Sequence, residues 1–129
     1  MSEAQKEIPN SLTIGGFLEL LSAADPHAQG FRPAFAFDPE QTLLRKTAAR
    51  ILHFYMRDIL AVPDIPDITP AAVLKDLYDC RVCVNSIAQI YLRGIMEPRE
   101  YPGGLLLFDG SAPVDELLAG HIISRTLQP

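Results

Sequence analysis

The placement of proline constrains this 129-residue chain more than any other feature. Its eleven prolines and eight glycines gather mainly in residues 26–39, 63–70 and 98–113. Proline lacks a backbone N–H and holds the residue before it in extended conformations, so regular helix is interrupted there. The stretches between carry apolar residues at helical spacing, and helices are expected in them.

Residues 8–24 set Leu12, Ile14, Phe17, Leu18, Leu20 and Leu21 on one face of a helix capped by Asn10 or Ser11, with Gly15 and Gly16 weakening it. Asp25 to Pro39 is a loop whose phenylalanines pin it to the core. From Pro39 to about Leu60, Leu44, Ala48, Ile51, Tyr55 and Ile59 give the clearest helical period in the chain. Val62 to Ile68 is an extended crossover. Thr69-Pro70 is a cap followed by proline at the first helical position and predicts a short helix through Asp79. Val84, Ile87, Tyr91 and Ile95 predict another over residues 81–96, closing near Gly94. Residues 97–110 are a second Pro/Gly loop, and a last helix starts at Ser111 or Pro113. The expected fold is therefore all-α, one domain of about five helices, with a first unit over residues 8–60, a Pro-rich crossover over 61–69 and a second unit over 70–127.

A net charge of −5 and the lack of any Lys/Arg run argue against a nucleic-acid partner. No stretch is long and apolar enough for membrane insertion, and the start has neither a basic nor an apolar leader region. That start implies a cytoplasmic protein, or a cell-surface one if a natural leader has been removed. Neither a phosphate loop nor a dinucleotide, zinc-protease or hydrolase motif is present, and no cofactor is expected. Cys80 and Cys83 form a Cys-x-x-Cys pair. The pair suggests a redox site or half a metal site, yet it runs into a helix, and His27, His53 and His121 lie far from it without ligand spacing, so two small buried residues are the simpler expectation. His53 and His121 are candidate bases or structural histidines. Asp64, Asp67 and Asp109 lack the alternating ligands of a calcium loop, and Asp109 is a turn residue.

Setting Phe37 over Phe108 aligns Phe37-Asp38-Pro39 with Phe108-Asp109-Gly110, then Leu43 with Val114, Ala48 with Ala119, Ile51 with Ile122 and Leu52 with Ile123. Each copy is a turn, a short spacer and an amphipathic helix, which suggests an internal duplication. Together with Leu74-Lys75-Asp76-Leu77 and the run from Val82 to Gly94-Ile95-Met96, the copies resemble the S-layer homology repeat. That family has a Trp-Ala pair leading one helix, a Gly-Ile-Met/Val close, and a Leu-Thr-Arg-Ala-Glu phrase opening the next. Here Val82 stands at the Trp position, and the last phrase is Leu44-Arg45-Lys46-Thr47 in one copy and Asp115-Glu116-Leu117-Leu118 in the other.

The resemblance implies two repeat units in which only Arg45 matches the positions that grip an anionic cell-wall polymer, work that needs charge-assisted hydrogen bonds from arginine. By its pattern alone, Arg45 is a solvated surface cation. The leading expectation is a non-enzymatic scaffold or protein-interaction module, contacting another protein or itself as a homo-oligomer through Phe31, Phe35, Leu105 and Leu106. Retained envelope-polymer binding through Arg45 is the alternative. A small redox or metal protein using Cys80 and Cys83 is the third.

Overall fold

A computed structural model describes residues 12–128. Four α-helices carry the fold: α1 (Ile14–Ala24), α2 (Arg45–Asp58), α3 (Val84–Leu92) and α4 (Glu116–Leu127). Between α3 and α4, β1 (Arg99–Tyr101) and β2 (Leu105–Leu107) pair antiparallel, with Arg99 opposite Leu107 and Tyr101 opposite Leu105. The all-α expectation of about five helices is thus wrong, and the chain is mixed. The expected helix over residues 70–79 is instead two short 3-10 turns, Thr69–Val73 and Leu77–Asp79. The loop over residues 97–110 became a hairpin because Pro102, Gly103 and Gly104 turn the chain, both glycines at positive φ, between two segments able to pair.

Helix bounds moved for local reasons. Thr13 caps α1 by accepting from the Gly16 amide at 3.0 Å, while Asn10 and Ser11 lie outside the described residues. α2 starts six residues beyond Pro39, because Pro39 and Glu40 form a turn and Thr42 and Leu44 are engaged in single β-bridges to Thr13 and Pro113. Asp115, rather than Ser111 or Pro113, caps α4 by accepting from Leu118 N at 2.8 Å, a contact of about 1 kcal/mol.

That segment is one of two that receive a helix start. Ile14 N donates to Gln41 O and Gly15 N to Pro39 O, both at 2.9 Å; Arg45 N donates to Ala112 O and Lys46 N to Gly110 O, again both at 2.9 Å. Leu43 N donates to Leu12 O at 2.7 Å, and Val114 N to Leu43 O at 2.9 Å. So the turn before α2 seats α1, and the turn before α4 seats α2, in the register that lays Phe37 over Phe108. Below these junctions α2 packs chiefly on α3, and α4 packs on α1 and α2. Phe17, Leu21, Leu43, Leu52, Tyr55, Phe108 and Ile122 are fully buried between them. Each such side chain contributes roughly 1.5–3 kcal/mol by leaving water.

Candidate functional site

Three groups of side chains stand out, and Arg45 belongs to the first. Its position as the first residue of α2 aims it inward, and it is 4% exposed. Nε donates to Phe108 O at 2.8 Å and a terminal nitrogen donates to Glu97 O at 2.6 Å, with the guanidinium 5.1 Å from the centre of the Phe108 ring. Burial pulls its pKa below the ordinary arginine value, with the nearby Arg99 charge acting the same way and Asp109 and Asp76 opposing. Arg45 is therefore not a solvated surface cation. Its donors tie the start of the hairpin and the turn before α4 to α2, and they do not point to solvent.

The second group lies between α2, α3 and the Pro-rich crossover. His53 Nδ1 is 2.8 Å from Ser86 Oγ, and His53 Nε2 is 2.8 Å from Asp64 Oδ1. A serine, a histidine and an aspartate in series are the parts of a nucleophilic hydrolase, but that chemistry needs a hydroxyl that a substrate carbonyl can reach. Ser86 and His53 are each 3% exposed. The group instead fastens the crossover. Asn85, Gln89 and Arg93, one turn apart along α3, donate to Asp64 Oδ2 (2.9 Å), Ile65 O (2.9 Å) and Pro63 O (2.7 Å), and Gln89 Oε1 accepts from Ile65 N at 2.8 Å. Burial would raise the Asp64 pKa, but hydrogen bonds from His53 and Asn85, with the charges of His53 and Arg57, hold it below the ordinary value. Spacing reasoning singled out His53 and Asp64 separately. Ser86 was missed, because only the pairing of α2 with α3 brings it to His53.

The third group is a cavity of about 590 Å³ between the start of α2, the segment before α3 and the hairpin. Lys46, Lys75 and Arg99 face it, together with Asp76, Asp79, Asp109, Tyr101 and Cys80. Two of the aspartates are already engaged. The Asp76 carboxylate accepts from the Phe108 and Asp109 amides at 2.8 and 2.9 Å; Asp109 accepts from the Tyr101 hydroxyl, which raises the tyrosine pKa, and lies 3.6 Å from Arg99. Asp109 holds φ at 58°, a left-handed turn conformation that aspartate tolerates.

Cys80 and Cys83 are joined in a disulfide. Neither is simply a small buried thiol: the pair closes one 3-10 turn, Arg81–Cys83, that leads directly into α3. Among the described residues, no group of three or more His, Cys, Asp or Glu side chains is arranged to hold a metal ion. His121 is exposed on α4 and His27 sits at 3.1 Å from Asp25 in the loop after α1, so the three histidines do not converge.

Of the surface residues expected from the sequence, Phe31 packs edge-on against Tyr55 with ring centres 5.2 Å apart, and Phe35 lies between Arg50, 4.0 Å from its ring centre, and Phe54. Leu106 is half-buried, bridging to Leu74, while Leu105 is exposed. Among the described residues the exposed large apolar side chains are Ile59, Val73, Tyr78, Val82, Tyr101, Leu105 and Leu117. No helix among them is long and apolar enough to cross a membrane. Comparison with family models, curated proteins and solved structures found no match.

Proposed function

We propose that the chain is a protein-contact module, docking another protein or a second copy of itself through the face that surrounds the hairpin. One observation carries this. Val73, Tyr78 and Val82 come from one segment and Tyr101 and Leu105 from another, and the two segments are bonded side by side: Leu74 bridges Leu106, and Lys75 N donates to Leu106 O at 3.0 Å. Five of the seven exposed large apolar side chains among the described residues therefore lie on two adjoining segments, with Tyr78 at 67% and Val82 at 70% exposure. Scattered single apolar residues need no explanation, but a grouped set marks an interaction site. An exposed tyrosine amid such a group has the character of an interface anchor, worth 2 kcal/mol or more on average when it is one of the few dominant contacts.

Phe31 and Phe35 contribute little to this face because their rings are already packed against α2. The recurrence of the same backbone contacts at the two helix-receiving turns supports two copies of one unit, as the S-layer homology resemblance implies. Sedimentation velocity over a concentration series tests self-association, and a photo-crosslinker at position 82 with mass-spectrometric identification tests a different partner. The Tyr78→Glu/Val82→Glu double variant is expected to lose whichever contact is found. A strictly monomeric chain that crosslinks to nothing would overturn the proposal.

Polymer binding is favoured by one feature only: three cations face the large cavity. With the Arg45 donors spent on two carbonyls, Lys46, Lys75 and Arg99 would have to supply the ligand contacts. Co-sedimentation with cell-wall sacculi at low salt, lost in Lys46→Ala/Lys75→Ala, is the corresponding test. A disulfide suits an oxidising compartment, which favours the cell-surface expectation over the cytoplasmic one.

A further inference from the structure

We propose that the Cys80–Cys83 disulfide is a thiol–disulfide exchange site, taking two electrons from a dithiol on the protein docked at the hairpin face. The two sulfurs differ in position. Cys80 is half-buried and lines the large cavity, whereas Cys83 is 2% exposed. Cys83 is also the residue that immediately precedes α3, and its side chain makes no capping hydrogen bond. An incoming thiolate therefore reaches Cys80 Sγ and not Cys83 Sγ. It arrives among Lys46, Lys75 and Arg99, whose charges balance those of Asp76, Asp79 and Asp109 along the same lining, Arg99 lying 3.6 Å from Asp109.

The leaving group is equally well placed. Attack forms a bond between the partner's sulfur and Cys80 Sγ while the Cys80–Cys83 bond breaks, and Cys83 departs as a thiolate at the positive end of a nine-residue helix. The partner's second thiolate then attacks its own sulfur in the mixed disulfide, and Cys80 departs in turn. The partner dithiol has become a disulfide, and Cys80 and Cys83 hold the two electrons and the two protons. The chain acts once per disulfide, as a stoichiometric oxidant. Tyr78 and Val82, on either side of Cys80, belong to the proposed docking face, so a partner seated there is brought to the reactive sulfur.

The protein nature of the substrate rests on the proposed contact function; the exchange chemistry does not. Oxidised wild-type chain is mixed with a reduced two-cysteine peptide in native buffer, quenched by alkylation and read by mass spectrometry. Protein dithiol and peptide disulfide are expected to appear one for one, faster than the chain unfolds. Reduction no faster than unfolding would identify a purely structural bond and overturn the proposal. Trapping supplies a second readout. With a disulfide-bearing peptide, Cys83→Ser is expected to capture a mixed disulfide on Cys80, and Cys80→Ser to capture one on Cys83 on the order of tenfold more slowly. Equal rates would also overturn it. Tyr78→Glu/Val82→Glu separates the two proposals: exchange with dithiothreitol persists in that variant even where protein docking is lost.

Discussion

Arg45 shows how far one residue's role depends on its neighbours. Its donors satisfy two carbonyls from chain segments more than fifty residues away in sequence, that of the buried Phe108 and that of the exposed Glu97. Arg45→Met keeps the stem and removes both bonds, leaving the buried Phe108 acceptor unpaired at about 1–3 kcal/mol while the Glu97 carbonyl can turn to water. The variant is expected to lose about 2 kcal/mol in urea unfolding, and Arg45→Lys, which reaches only one carbonyl, about half of that. Asp64 makes the corresponding case for pH. Its folded pKa lies below the ordinary value of 3.8, so in acid the unfolded chain takes up the proton first. Its contribution is present above the ordinary value and is lost as pH falls through the folded one. With a side chain one-third exposed, the contribution is small. Asp64→Asn should flatten the acid limb of a stability-against-pH curve while leaving the neutral region lower, and an unchanged acid limb would show that the His53–Asp64 contact does not couple to folding.

At the scale of elements, each helix-receiving junction contains one glycine, on opposite partners. Gly15 of α1 meets Pro39, where an added Cβ would lie 3.1 Å from Pro39 Cβ and 3.2 Å from its carbonyl oxygen; Gly110 meets Lys46, where it would lie 3.0 Å from Lys46 Cβ. The glycine that weakens α1 in isolation is the one that lets a turn seat on it. Gly110→Ala is expected to cost about 1–2 kcal/mol by overpacking, read as a lower midpoint in thermal unfolding, and a neutral result would mean the junction gives way freely. The sequence carried α1, α2, α3 and α4 because each buries a face at 3.6-residue spacing. It did not carry the hairpin, since a three-residue strand such as Leu105–Leu107 has no alternation to detect, nor the 3-10 turns after Thr69, where a sound cap and proline start leads to only five residues. The cavity and the Ser86–His53 contact were illegible for another reason: both are made by segments far apart in sequence that meet only after packing.

The whole molecule is held by exchange between its units. Leu12, Leu43 and Val114 form a backbone relay in which each later N–H donates to the earlier carbonyl, and the N-terminal amides of α1 and α2 are received by the turns that precede α2 and α4 respectively. A helix start carries orphan amides, and an isolated helix of eleven or fourteen residues is marginal in water. If the two units were separated, α2 would lose the Ala112 and Gly110 carbonyls at its start, the Phe108 stacking on Arg45, and the α3 face against which it packs. The second unit would in turn lose the Leu43 carbonyl that fixes Val114. Neither unit has a core of its own, since Tyr55, Leu77, Ile90 and Phe108 are buried together. Peptides covering residues 1–60 and 61–129 are therefore expected to show little helix separately by circular dichroism, to regain native-like signal when mixed at equal concentration, and to do so in a concentration-dependent manner. The intact chain should unfold in one transition at which far-ultraviolet and tyrosine signals coincide. A first fragment that folds alone with a cooperative melt would show that the junctions join two independent units and do not create one.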